Sequence, residues 1–329
     1  MSTVKKMDQP RQTRGAVSSG RRVLITGING FVGAHLERCL LERGFQVCGF
    51  DQHSKNHFEN VYTGNITDHK VLLTALGKSQ PDIIFHLAGT IKSTQPELLY
   101  QTNFLGTIAL FDCLMETQYR PMVLISSSSA VYGAGRGSKP ISETFKPRPL
   151  THYAVSKLAQ ETAALRYFDA FHIPVIIARA FNLLGPGQPP NLAFSSFARQ
   201  IALAEIRGSG EIITGDLSAH RDFLDVRDAA QALIQMAEEG AAGQIYNVCS
   251  GRAVSIQKCL KDMLASSSVH LKTRRDVKQI QHHDIPIQVG TARKLKESVG
   301  WQPEISLHQS LSDLLDDWRR RAKVEMEQV

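Results

Sequence analysis

Tyr153 and Lys157 stand four residues apart in the stretch Tyr153-Ala-Val-Ser-Lys157 of this 329-residue chain. On a helix such positions share a face, so the ammonium lies near the phenol and favours its ionised form. A phenol that titrates near about pH 10 in water thereby becomes usable as a general acid or base. Upstream, residues 126–129 are all serine. From that run Ser128 supplies a hydroxyl that would hold a carbonyl or alcohol oxygen beside the phenol. Tyr and Lys at this spacing also occur on ordinary exposed helices, so the weight of the pair comes from what surrounds it.

The glycines near the N-terminus are the first such company. Residues 23–27 (VLITG) read as a short apolar strand, and 31–43 show helical spacing of Phe31, His35, Leu36, Cys39 and Leu40. Between them Gly27, Gly30 and Gly33 recur every third residue, a spacing different from the GxGxxG fingerprint. A turn of this kind sets free backbone N–H groups and the positive end of a helix under a phosphate. Asp51 closes the next apolar strand, where a carboxylate would accept hydrogen bonds from an adenosine ribose. Its charge repels a 2′-phosphate, which favours NAD(H) over NADP(H), while nearby His53 and Lys55 temper that preference.

Alternation of apolar strands and amphipathic segments extends through the first half. Strands are expected at 22–26, 46–51, 82–87, 121–126, 174–179 and 244–248, and helices at 31–43, 68–77, 97–118 and 152–172. This is the βαβ pattern of an α/β, Rossmann-type doubly wound parallel sheet, which binds ligands at the carboxyl ends of its strands. The strand running into the serines would deliver Ser128 there. After residue 180 the alternation gives way to Gly- and Pro-rich loops such as 183–190 (LLGPGQPP) and shorter helices. The expected organisation is a disordered basic tail over 1–21 and a dinucleotide-binding domain over 22–180, with later strands returning from about 221–248. Residues 181–329 would then form mainly a smaller C-terminal substrate-binding lobe.

Composition narrows the partners. The net charge of +7 is concentrated in Lys5, Lys6, Arg11, Arg14, Arg21 and Arg22, opposed there only by Asp8. A basic tail of this kind is usually a solvated end, so no nucleic-acid partner is expected, although a modest positive excess suits an anionic substrate. Cys39, Cys48, Cys113, Cys249 and Cys259 are odd in number and widely spaced, which reads as reduced, cytoplasmic thiols. His282 and His283 lack partners at ligand spacing, and no metal is expected. No run approaches about 18 uninterrupted apolar residues, so no membrane span is expected.

In order along the chain, TGINGFVG (26–33), HLAG (86–89), Asn103 in NFLGT, SSSSAVYG (126–133) and YAVSK (153–157) resemble the extended short-chain dehydrogenase/reductases that act on nucleotide sugars. The resemblance runs from residue 23 to about 319. Segments 179–188, 197–202, 221–228, 246–257 and 294–318 are most similar to GDP-4-keto-6-deoxy-D-mannose reductases, which form GDP-D-rhamnose. The resemblance implies that Tyr153 is the acid, that Ser128 orients the reacting oxygen, and that Lys157 holds the nicotinamide ribose and tunes the tyrosine. It places Asn29, Gly30, Phe31 and Val32 at the pyrophosphate, with Gly27 and Gly33 also in the cofactor site, and Asn65 with Ile66 around adenine. Leu87, Ala88, Gly89 and Asn103 complete the implied cofactor site. At the Asn65 place the family usually has aspartate, although the amide oxygen still offers an acceptor. Asn182 would meet sugar and phosphate, and Arg221 the diphosphate, with Arg199 a further candidate.

The implied reaction is reduction of a C4 keto group by NAD(P)H. Nucleotide-sugar 4,6-dehydratases carry an acid just after the catalytic hydroxyl, where this chain has Ser129-Ala130-Val131, so dehydration is disfavoured. The same segment resembles UDP-sugar 4-epimerases, which makes an NAD-retaining epimerase the alternative enzyme. A non-catalytic dinucleotide sensor is disfavoured by the intact serine, tyrosine and lysine. The resemblance also implies a homodimer formed through the 97–118 and 152–172 helices.

Overall fold

The computed structural model describes residues 20–53, 60–135, 137–276 and 285–327. Residues 1–19 of the basic tail, Lys55, His282 and His283 lie outside these. Seven strands form one parallel sheet: β1 (Arg22–Thr26), β2 (Gln46–Asp51), β3 (Val61–Thr63), β4 (Ile83–His86), β5 (Met122–Ser128), β6 (Val175–Ala180) and, after an excursion, β10 (Ile245–Val248). Their spatial order is β10-β6-β5-β4-β1-β2-β3. All the expected strands are present, and β3 is an addition. At three residues (VYT) it is too short for periodicity to reveal.

Alternation along each central strand feeds two cores. Val23, Ile25, Phe85 and Leu124 point to one face, where α1 (Phe31–Glu42) and α7 (Val226–Glu239) cover them. Leu24, Ile84, Val123 and Ile125 point to the other, under α2 (His69–Ser79), α4 (Gly106–Glu116) and α5 (His152–Phe171). Because both faces are buried, these strands read as continuous apolar runs.

The expected helix over 97–118 is in fact three pieces. A short α3 (Pro96–Tyr100) passes through a wide π-helical turn at Gln101–Leu105 into α4. Such turns insert an extra residue into the ladder and often mark functional sites. Here the turn carries the fully buried Asn103. By length and composition Pro96–Glu116 could cross a membrane, yet Leu110, Phe111 and Leu114 are completely buried in the core beneath the sheet.

Beyond β6 the chain builds a second cluster. The strands β7 (Asn182–Leu184), β9 (His220–Asp225), β11 (Ala253–Ser255) and β13 (Ile287–Gln288) form a four-stranded sheet, and β8 (Glu211–Thr214) pairs with β12 (Lys272–Arg275). A separate apolar core joins α6 (Ala193–Arg207), α8 (Ile256–Ala265) and α10 (Leu307–Glu327) through Phe194, Phe197, Met263, Leu311, Leu315 and Trp318. Within 221–248, β10 joins the large sheet and β9 belongs to the smaller one. The remaining helix, α9 (Arg293–Val299), packs Leu295 back into the first core.

Candidate active site

β1 ends in a turn that only glycine can make. Gly27 has φ +75°, and a Cβ there would sit 2.8 Å from the Ala88 nitrogen. A Cβ on Gly33 would stand 2.3 Å from the Gly27 carbonyl oxygen, so α1 can approach the strand end only without one. The N–H of Asn29 already donates to Asp51 Oδ2 (3.0 Å) and that of Gly30 to the Gly27 carbonyl (3.0 Å). Of the segment 29–32, therefore, Phe31 and Val32 at the start of α1 are the groups left to meet a phosphate.

This turn opens a cleft of about 1100 Å³ bordered by Gly27, Asn29, Gly30, Asp51, Asn65, Ile66, Leu87, Ala88 and Gly89. The size and the glycine-lined entrance fit a dinucleotide. Asp51 is held as a fixed acceptor on its border, with Oδ1 taking the His53 N–H at 3.2 Å. Asn65 differs from expectation. Its amide oxygen accepts both the N–H (3.0 Å) and the hydroxyl (2.9 Å) of Thr67, so the acceptor is spent on its own turn and the amide N–H₂ is what it offers.

Asn103 also departs from a direct cofactor contact. Its Oδ1 accepts the Thr90 N–H (2.8 Å), and its Nδ2 donates to the Thr90 carbonyl (3.0 Å) and to Ser156 Oγ (2.9 Å). The side chain thus clamps the segment after β4 to α5, and Gly89 passes beside it because a Cβ would come within 2.9 Å of Oδ1.

At the carboxyl end of β5 the expected trio assembles. Ser128 is the last residue of the strand, and its Oγ accepts the Ala130 N–H at 3.2 Å, leaving its own proton to donate. That hydroxyl is hydrogen-bonded to the Tyr153 phenol. Tyr153 enters on the first turn of α5, which starts cleanly because the Thr151 side chain caps Ala154 N–H (3.1 Å). Burial raises the Tyr153 phenol above its ordinary range, and the Ser128 hydrogen bond offsets this only partly. The spacing argument expected the lysine to favour the ionised phenol. Desolvation prevails instead, and the phenol stands protonated, ready to donate.

Lys157, one turn on, is buried at 5% exposure. Desolvation lowers its ammonium to about 8, against the opposing pull of Glu161. Its Nζ donates to Gln160 Oε1 at 2.7 Å. Behind it Glu161 and Arg179 form a buried fork, with Nε to Oε1 at 2.9 Å and Nη2 to Oε2 at 2.6 Å. Ser127, next to Ser128, donates to the same carboxylate. The guanidinium carbon lies 4.7 Å from the centre of the Tyr132 ring. Gln160, Glu161 and Arg179 escaped the sequence reading, although Gln160 and Glu161 lie on the Lys157 face of the same helix by their i+3 and i+4 spacing.

The substrate-side candidates fare unequally. Asn182 Nδ2 donates to the Asp222 carbonyl (3.0 Å), fastening β7 to β9. Arg221 donates to the carbonyls of His220 (3.0 Å) and Ile285 at the β9–β13 edge. Arg199 is engaged by Glu325 across the surface between α6 and α10. A residue not foreseen, Gln288 on β13, donates to the carbonyls of Ser129 (3.3 Å) and Gly133 (3.1 Å) and so pins the segment that follows Ser128.

Glycine turn, parallel sheet and Ser-Tyr-Lys constellation together define an extended short-chain dehydrogenase/reductase, an enzyme class dependent on NAD(P) and acting on nucleotide sugars. The chain belongs to the NAD dependent epimerase/dehydratase family, whose model matches residues 23–249. It is 32% identical to the GDP-6-deoxy-D-mannose reductase of Pseudomonas aeruginosa, over 93% of this chain and 99% of that one. It is also 30% identical to a UDP-N-acetyl-alpha-D-glucosaminuronate decarboxylase of Bacillus cytotoxicus, over 91% of this chain and 98% of the relative. Among solved structures, that of RMD from Pseudomonas aeruginosa complexed with NADPH matches with a TM-score of 0.81 at 32% identity, covering 91% of this chain and 99% of that one. Two relatives of nearly equal identity are named for different reactions, so the particular reaction is a question for the site.

Proposed function

We propose that this enzyme reduces the C4 keto group of GDP-4-keto-6-deoxy-D-mannose to give GDP-D-rhamnose. The observation that carries this reading is the Ser128–Tyr153 pair with its phenol held protonated, the state a reductase needs at the moment of proton donation. The dinucleotide, when bound, supplies hydride to the carbonyl carbon. Ser128 turns its hydroxyl proton from the Tyr153 oxygen to the keto oxygen and fixes its direction. Tyr153 gives its proton to that oxygen as negative charge develops there, and the Lys157 ammonium stabilises the charge. Phe31 and Val32 would receive the pyrophosphate, and Asp51, fixed on the border of the cleft, the adenosine ribose, which favours NADH. Residues 181–329 would supply most of the substrate lobe, with Asn182 and Arg221 toward sugar and diphosphate. Arg199 would have to leave Glu325 to join them.

Segment 129–131 supports reduction over dehydration, because it carries no carboxylate to remove a second proton. The test is oxidation of NADH and NADPH in the presence of the keto sugar, with NMR of the product. Stoichiometric consumption yielding GDP-rhamnose is the expected result. No consumption, with NAD retained through purification, would instead favour a 4-epimerase.

The same assay carries a pH prediction. Lys157 must be charged to act, and its value is lowered to about 8, so kcat/KM should fall as pH rises through about 8. A rate flat to pH 10 would contradict the role given to the ammonium.

We further propose that the apolar groove of about 610 Å³ between Phe104, Ile108, Val155, Leu158, Ala163 and Tyr167 receives a second copy of the chain. Val155 on its lining is 39% exposed, an arrangement costly in water. Light scattering should give twice the chain mass, and Val155→Asp should return the monomer.

A further inference from the structure

The catalytic lysine ends a chain of fully buried polar groups that runs through the core to the glycine turn. Lys157 Nζ donates to Gln160 Oε1 (2.7 Å), and Gln160 Nε2 donates to Thr107 Oγ1 (2.8 Å). Thr107 donates to the Asn103 carbonyl (2.8 Å) and also meets His86 Nε2 (2.9 Å), while His86 Nδ1 meets Thr26 Oγ1 (2.8 Å). Thr26 is the last residue of β1, immediately before Gly27, and its Oγ1 accepts the Ala88 N–H at 3.2 Å.

Counting protons, with the charge of the imidazole, fixes every direction. A hydroxyl has one proton and two acceptor sites, and that of Thr107 gives its proton to Asn103 and one site to Gln160. Its second site must therefore take a proton from His86 Nε2. Burial and the Lys157 ammonium lower the imidazole to about 3 and keep it neutral, so Nδ1 is the bare nitrogen and Thr26 donates to it. An amide and an imidazole held in a single tautomer do not pass protons, so this chain anchors and does not conduct.

We propose that Gln160 is the positioning residue of the catalytic lysine: supported by Thr107, His86 and Thr26, its amide oxygen takes one ammonium proton from behind and aims the others at the cofactor ribose. This rests on the reading of Lys157 as the ribose-binding lysine. Gly89 supports the geometry, since a Cβ there would lie 3.6 Å from Nζ, so the ammonium stands against the cleft wall. The charged and titratable groups around Lys157 are Tyr153 and Glu161 on its own helix, His86 from β4, and Arg179 from β6 behind Glu161. Arg179 pairs with Glu161 and His86 stays neutral, so the Gln160 dipole is the acceptor whose removal alters the ammonium most directly.

The experiment is NADH affinity against pH, read by fluorescence without any sugar substrate, in the wild-type chain, Gln160→Met and Gln160→Glu. Gln160→Met, similar in volume but lacking the acceptor, should weaken NADH binding about tenfold at pH 7 and move the alkaline midpoint down by about one unit. Gln160→Glu should bind within about threefold of wild type and move the midpoint up, because a carboxylate beside the ammonium stabilises it. Opposite shifts are what a purely structural residue would not produce. Unmoved midpoints in both variants, or equal losses in the same direction, overturn the proposal. Melting curves show whether each variant is folded, and Thr107→Val, which leaves Lys157 its acceptor but frees the amide, should give the Met-type shift in smaller measure if neither is. Failure of the sugar assay leaves this readout intact, whereas failure of NADH to bind the wild-type chain would overturn the positioning role together with the cofactor reading.

Discussion

Tyr153→Phe should lower kcat by about 10²- to 10⁴-fold while NADH affinity stays within about twofold of wild type, a range typical of a removed general acid. The substitution deletes one hydroxyl and keeps the ring, so α5 and its packing are undisturbed. What is lost is the proton that burial keeps on the phenol against the opposing hydrogen bond of Ser128. Stopped-flow reduction of the keto sugar, with cofactor titration alongside, checks both halves. A variant that retained wild-type turnover would show that the proton comes from elsewhere, and a large loss of NADH binding would mean that the phenol serves the cofactor.

The largest expected effect on stability lies behind the site. Glu161 and Arg179 are 2% and 3% exposed, and their fork is the ion pair buried deepest among the described residues. Removing the carboxylate in Glu161→Ala leaves a guanidinium without its counter-charge, at a cost of about 3–5 kcal/mol. Arg179 Nη1 already lacks a hydrogen-bond partner and leans on the Tyr132 ring, so the site has little left to offer a stranded charge. Replacing both, as Glu161→Leu with Arg179→Met, should recover much of that loss, because desolvation of the pair is removed together with its attraction. Urea unfolding of the single and double variants gives the coupling. A double variant no more stable than Glu161→Ala would contradict this account. Catalysis should fall even in the stable double variant, since Ser127 loses the carboxylate that anchors the strand end carrying Ser128.

The strands, the glycine turn and the Tyr-Lys pair were legible because each is written in neighbouring residues. Periodicity in VLITG and MVLIS, the three-residue glycine spacing and the i to i+4 register of α5 are local matters of backbone geometry. What the pairs do once buried was not legible. Spacing placed an ammonium beside a phenol, and only the surrounding core decided that desolvation would govern both groups. Asn103 and Asn65 were identified as positions of interest, yet their amides serve Thr90 with Ser156 and Thr67, partners that no periodicity names. The π-helical turn that seats Asn103 hides inside a stretch that reads as one helix.

By itself, then, the sequence determined which segments become strands and helices and which side chains are candidates for the chemistry, since these depend on interactions within a few residues. The tertiary structure alone decided the protonation of Tyr153, the anchoring of Lys157 through Gln160 and the pairing of Glu161 with Arg179. Those depend on burial and on partners from separate strands and helices, which only the order of strands in the folded sheet brings within reach.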